Sequence, residues 1–123
     1  MSFKSEPIFK QIETSLSSNP SLAKELVKKT NSVIIFNLKN KKGEQKAWKL
    51  DLKKEGILTE TTADAESDLL INLGDLDFKK LVNGKSNSQK LFLTGKLKVR
   101  GDVMKAANIE KILKAVAPAK AKL

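Results

Sequence analysis

Few residues in this chain are equipped for covalent or metal chemistry, and the spacing of those few argues against it. Histidine, cysteine and tyrosine are all missing from the 123 residues. That removes thiol chemistry, disulfides, the Ser-His and Cys-His nucleophile pairs, and the usual zinc, copper and haem ligand sets. Asp64, Glu66 and Asp68 occupy the first, third and fifth positions of a calcium loop, but Leu69 stands where the sharp turn needs glycine. They read instead as an exposed acidic loop. Gly84-Lys85-Ser86 echoes a phosphate-cradling loop, yet Lys79 holds the place of its first glycine. No two carboxylates fall at a spacing that one element would focus on a pocket, as acid–base work requires. The chain is expected to bind, not to catalyse, and to do so without cofactor or metal.

Charge says more. The net charge of +10 is uneven: residues 85–123 hold ten bases against two acids. Such a field favours anionic partners, whether nucleic acid, acidic lipid headgroups or phosphorylated ligands. Recognition of single-stranded nucleic acid also needs stacking aromatics beside the bases. Here most of Phe3, Phe9, Phe36, Trp48, Phe78 and Phe92 sit in apolar patterns that read as core, so no nucleic acid is expected. The final residues, Ala121, Lys122 and Leu123, resemble the Ser-Lys-Leu peroxisomal address, which a receptor reads at a free carboxylate. Pro118 cannot continue a helix, which would leave residues 119–123 accessible to an import receptor. The first residues lack the apolar stretch of a secretory signal, and Val33-Ile34-Ile35-Phe36 is too short to span a bilayer. The expectation is a soluble, monomeric protein of the peroxisome matrix, with one domain over residues 1–117 and a flexible tail over 118–123.

The elements that must carry any site follow from periodicity. Ser5 as N-cap, Pro7 in the first turn, and Ile8, Phe9, Ile12 and Leu16 along one side predict an amphipathic helix over 6–18. Asn19-Pro20 restarts a second helix bearing Leu22, Leu26 and Val27. The period then changes to two. Val33–Lys39 and Gln45–Lys53 predict an antiparallel hairpin, with Trp48, Leu50 and Leu52 facing one way and Lys49, Asp51 and Lys53 the other. Strands follow at Ile57–Thr61 and Asp68–Leu73, the latter with Leu70 opposite Leu69, Ile71 and Leu73, as if covered on both faces. Asp75 predicts the cap of a short helix, Ser86–Leu93 another helical turn or two, and Lys96–Arg100 a strand with Leu97 and Val99 inward. Gly101-Asp102 would open a closing helix near Val103–Val116. In that helix Ala106, Ile109, Ile112, Leu113 and Val116 share one sector while Val103, Met104 and Ala107 fall in another. This apolar breadth fits either ordinary packing or a helix that also lines a ligand space. The pattern is an α+β domain.

The run Asn87-Ser88-Gln89-Lys90-Leu91-Phe92-Leu93-Thr94-Gly95-Lys96-Leu97-Lys98-Val99-Arg100-Gly101-Asp102 resembles the signature of the sterol carrier protein type 2 lipid-transfer domain. In that family an Asn-Pro-Gln-like start and an aromatic precede Gly-Lys-Leu-Lys-hydrophobic-x-Gly-Asn/Asp. The likeness extends less specifically to the first helix, the strand bearing Trp48, Asp75-x-Asp77-Phe78, and the terminus. It implies a five-stranded mixed sheet covered by about five helices, with an apolar lipid tunnel between sheet and helices. It also implies binding of fatty acids, fatty acyl-CoA, sterols or phospholipids without catalytic residues. Carried over, Gln89, Phe92 and Thr94 would line or border the tunnel, and Val103, Met104 and Ala107 would wall it. Ile12, Leu16, Trp48, Leu70 and Leu113 complete the expected lipid-contacting set. Ser88 departs from a common proline and Thr94 from a frequent glutamine.

The leading reading is therefore a peroxisomal lipid carrier making transient contact with anionic membranes. The alternative is a basic adaptor that binds protein or nucleic acid and has a solid core. A third reading is an accessory domain that presents lipids to an enzyme.

Overall fold

Two prolines set the first helices. Pro7 lies in the first turn of α1 (Glu6–Ser18) and Pro20 opens α2 (Pro20–Thr30), where the missing N–H would have had no helical partner. Asn19 joins them: its side chain accepts from the Leu22 amide at 3.2 Å while its own N–H donates to the Ser15 carbonyl. Asn31 ends α2 in the left-handed region at φ 46°, a conformation that asparagine tolerates. The computed structural model describes residues 5–62, 64–82, 85–101 and 112.

The alternating segments form β1 (Ser32–Lys39) and β2 (Gln45–Leu52), an antiparallel hairpin. Its loop is closed by Asn40 Oδ1, which accepts from the Lys42 and Glu44 amides at 3.0 and 2.9 Å. β3 (Ile57–Thr61) pairs antiparallel with β2. The chain then crosses to the far side of β1, where β4 (Leu69–Gly74) runs parallel to it. α3 (Asp75–Val82) and α4 (Ser88–Leu93) follow, and β5 (Lys98–Gly101) pairs antiparallel with β4. The sheet order β3-β2-β1-β4-β5 is mixed, as the resemblance implied, and the α+β class stands.

Strand register sorts side chains onto two unlike faces. Phe36 lies opposite Trp48 and beside Ile71, and with Ile34, Leu38, Leu50, Leu69 and Leu73 it forms the face beneath the helices. The centre of that layer is aromatic. Phe9 of α1 stacks on Trp48 (centroids 4.1 Å apart, 8° between planes) and on Phe78 of α3 (4.7 Å, 7°), with Phe36 at their edges. Ile112 is helical and buried against the same cluster. The rest of the expected closing helix and the tail lie outside the described residues.

Three local features refine what the sequence suggested. Ser5 stands at the N-cap of α1 but caps nothing with its side chain. Its N–H donates to Asp75 Oδ1 at 2.8 Å and its hydroxyl donates to the Asp75 carbonyl at 2.9 Å, both buried. A serine placed to cap its own helix is drawn instead to the buried start of α3, whose polar groups need partners. Leu70 is half-buried, less enclosed than Leu69 and Ile71 to either side. Third, α4 ends in a Schellman motif: Gly95 at φ 78° donates to the Phe92 carbonyl at 3.1 Å, and Lys96 donates to the Leu91 carbonyl at 2.9 Å. The second glycine of the same stretch, Gly101 at φ 101°, sits where a Cβ would collide with the Asp68 carbonyl.

Phe9→Ala should destabilise the fold by about 3–5 kcal/mol, because it removes the shared partner of two stacked rings. Phe9→Leu should retain more than half of that. Denaturant unfolding monitored by Trp48 fluorescence measures both, and near-equal losses would contradict the central role given to the stack.

Candidate functional site

Ile57 and Leu58 place two consecutive apolar side chains on the short edge strand β3. Their side chains necessarily leave on opposite faces. Leu58 is buried and Ile57 exposed. α1 and α2 overhang this edge, and two open grooves lie beneath them. The first, of about 640 Å³, runs between the N-terminal half of α1 and β3, with Phe9, Trp48 and Leu58 among its lining residues. The second, of about 650 Å³, lies between the C-terminal half of α1, α2 and the turn before β3; Leu16, Ala23, Val27 and Ile57 supply its apolar surface. Glu13, Leu58 and Thr59 line both. The grooves therefore share walls along one furrow at the sheet edge, and each falls within the roughly 300–1,000 Å³ of small-molecule sites.

The rim is polar and mixed. Lys10, Lys24 and Lys54 stand there with Glu13 and Glu55. Lys46 bridges two carboxylates that line the first groove: its Nζ lies 2.9 Å from Glu6 of α1, 3.6 Å from Glu60 of β3, and 5.4 Å from the centroid of the Trp48 ring. The hydrogen bond to Glu6 leads the causes that hold the Lys46 ammonium above its usual pKa of 10.5, with coulombic attraction to Glu6 and Glu60 adding and burial opposing. α1 is thus tied to the sheet edge by a charge clip as well as by its aromatic ring.

The expected lipid-contacting residues separate into groups. Leu16 and Trp48 line the furrow, and Ile12 is fully buried in the core beside it. Leu70 lies on the other face of the sheet, level with Ile35 and Arg100. Gln89 and Thr94 are exposed on α4, the Thr94 hydroxyl donating to the Lys90 carbonyl at 2.9 Å. Phe92 is 52% exposed and its neighbour Leu93 74%, so α4 presents an apolar tip. Val103, Met104, Ala107 and Leu113, and the terminal Ala121, Lys122 and Leu123, lie outside the described residues. Among those residues the space between the sheet and α1 and α3 is filled by the aromatic stack, and the open volume lies at the margin. Leu58 and Ala23 were not singled out from sequence, and Val27 was read only as part of the apolar side of the second helix. The available signal was Gly56-Ile57-Leu58: a glycine before two consecutive apolar residues on a short strand implies apolar surroundings on both faces.

Comparison with known proteins agrees with this architecture. Residues 9–114 match the model of the SCP-2 sterol transfer family. Oleate-induced peroxisomal protein POX18 of Candida maltosa is 46% identical over 117 residues, covering 94% of this chain and 91% of its own. A fatty acid-binding protein of Yarrowia lipolytica is 49% identical over 117 residues, covering 91% and 90%. The solved apo form of sterol carrier protein 2 from Yarrowia lipolytica superposes with a TM-score of 0.87 at 45% identity, covering 94% of each chain. On a match that takes in most of its length and on a shared fold, the chain belongs to the SCP-2 sterol transfer family.

Proposed function

We propose that the protein binds single-chain lipids, fatty acids and fatty acyl-CoA foremost, in the furrow beneath α1 and α2, and carries them between membranes in peroxisomal lipid metabolism. Sterols and phospholipids fall within the same undemanding chemistry. The observation that carries the reading is an apolar floor built from Phe9, Trp48, Leu58, Leu16, Ala23 and Val27 under a charged rim. That arrangement suits an amphiphile: its chain leaves water while its head stays hydrated among Lys10, Lys24 and Lys54. A sixteen-carbon chain gains about 12 kcal/mol before costs, at about 0.8 kcal/mol for each buried methylene. No catalytic step is required, and the composition offers no histidine or cysteine to perform one. The likeness to a protein named fatty acid-binding, near full length, supports the same reading.

Loading and unloading take place at a bilayer. α4 offers the contact: Phe92 and Leu93 project from a helix end fixed by its Schellman motif, and residues 78–101 carry seven bases and no acid. Apolar side chains ringed by lysine suit an anionic surface. Import into the peroxisome matrix follows from Ala121-Lys122-Leu123 where Leu123 bears the free carboxylate, in keeping with the peroxisomal name of one relative.

Three outcomes test this function. A fluorescent fatty acid should bind saturably. Glu13→Trp, which puts an indole at the wall shared by both grooves from an exposed position on α1, should weaken that binding about tenfold with little change in stability. Absence of saturable binding in the parent protein would favour the adaptor reading, and an unaffected Glu13→Trp would place the ligand elsewhere. In vesicle transfer assays, Phe92→Ser with Leu93→Ser should slow delivery to anionic acceptors severalfold while leaving affinity intact; equal rates would remove α4 from the contact. A fusion with the fluorescent protein at the N-terminus should enter peroxisomes and remain cytosolic once Leu123 is deleted.

A further inference from the structure

The face of the sheet turned away from the aromatic cluster carries a second, chemically opposite cavity. Asn37 interrupts the apolar run of β1, the central strand, and only 8% of it is exposed. Its Nδ2 donates to Gln45 Oε1 at 3.0 Å and to Asn72 Oδ1 at 2.9 Å. Both carbonyl oxygens are thereby turned toward Asn37, which leaves the carboxamide NH2 groups of Gln45 and Asn72 as donors. These groups line a pocket of about 310 Å³ together with Lys39, Lys96 and Lys98. Strand register sets Lys39 opposite Gln45 and Lys98 opposite Asn72.

No carboxylate lines this pocket among the described residues. None of the ion pairs there involves Lys39, Lys96 or Lys98. Glu44, on the adjoining cavity, is engaged by Asn40 Nδ2 at 2.7 Å.

We propose that this pocket binds a phosphoryl group. Its free groups are two amide donors and three ammonium donors, which an oxyanion with several acceptor oxygens satisfies together. A structural role for the carboxamides accounts for the link between β1, β2 and β4. It does not account for three like charges gathered on one cavity without an acid, an arrangement that repels itself until an anion enters. The volume admits a phosphate with one ester substituent. The site goes beyond the carrier reading and stands apart from it, since the furrow lies under the helices on the other face. Two sources offer the same chemistry: the headgroup of an anionic phospholipid, and a soluble nucleotide phosphate such as that of coenzyme A.

Nuclear magnetic resonance of the full chain separates the possibilities. With inorganic phosphate, the side-chain NH2 signals of Gln45 and Asn72 should shift saturably, and chloride at matched ionic strength should not move them. Lys96→Gln with Lys98→Gln, both exposed positions, should weaken that response about tenfold without altering the fold. Equal shifts in chloride and phosphate, or an unweakened double variant, would overturn the site. Coenzyme A and short-chain phosphatidylglycerol below its micelle concentration then identify the source by which saturates more tightly than phosphate. If neither does, the pocket holds an adventitious ion only and the proposal fails. Fatty-acid affinity of the double variant should equal that of the parent; a parallel loss would merge the two sites and equally overturn the assignment.

Discussion

The stacking of Phe9 between Trp48 and Phe78 is the constraint on which the helical side of this molecule depends. One ring on α1 is shared by a strand and a second helix, at centroid separations of 4.1 and 4.7 Å. Such pairs add about 0.5–1.5 kcal/mol each beyond the area they bury. Because the stack fills the middle among the described residues, the open volume beneath the helices there lies where α1 and α2 run past the sheet, in the furrow along β3. Ser5–Asp75 and Lys46–Glu6 fix the same helix at its start, so the furrow's wall is anchored there by polar contacts as well as by the stack.

β1 divides the chemistry. Side chains of Ile34, Phe36 and Leu38 enter the apolar layer, while Asn37 and Lys39 leave on the opposite side. A period of two therefore separates the apolar furrow from the basic pocket by the thickness of one sheet. On the polar side Ile35 and Ala47 are nonetheless buried, which keeps the central strands dry on both faces. Asn37 is tolerated there because both of its amide hydrogens have partners.

How much of this was legible depended on whether the signal was local. Pro7, Pro20 and Asn19 act within one helical turn, and the first helix emerged with both boundaries and the second with its start. Trp48, Leu50 and Leu52 alternate, and their inward face was read without error. Gly95 and Gly101 belong to the stretch that carried the family resemblance, and each occupies a positive-φ position. The parallel pairing of β4 with β1 was not derivable from pattern, since nothing local states which strand a run of alternating residues will join. The same limit hid most of the furrow: Ala23 and Leu58 each look like ordinary core, and only the path of α2 past β3 makes them neighbours of an open space. Asn37 was not singled out from sequence: it stands as a polar residue in an apolar run, and its partners Gln45 and Asn72 come from two other strands.

A carrier must also let go, and the strengths available here are suited to that. Burying Phe92 and Leu93 in a bilayer gains about 3–5 kcal/mol, and each nearby lysine adds about 1 kcal/mol at an anionic surface. Association removes several kilocalories per mole of translational and rotational freedom. What remains is a weak contact, weakened further by salt. The same logic applies to the furrow as the proposed lipid site: a bilayer offers an acyl chain nearly the hydrophobic gain that such a groove would, so a chain bound there would move either way without a large net change. Rigidity of the α4 tip then matters more than its affinity. A helix end held by hydrogen bonds at 2.9 and 3.1 Å has its backbone ordered in advance, which lowers the entropy that the proposed membrane contact would cost.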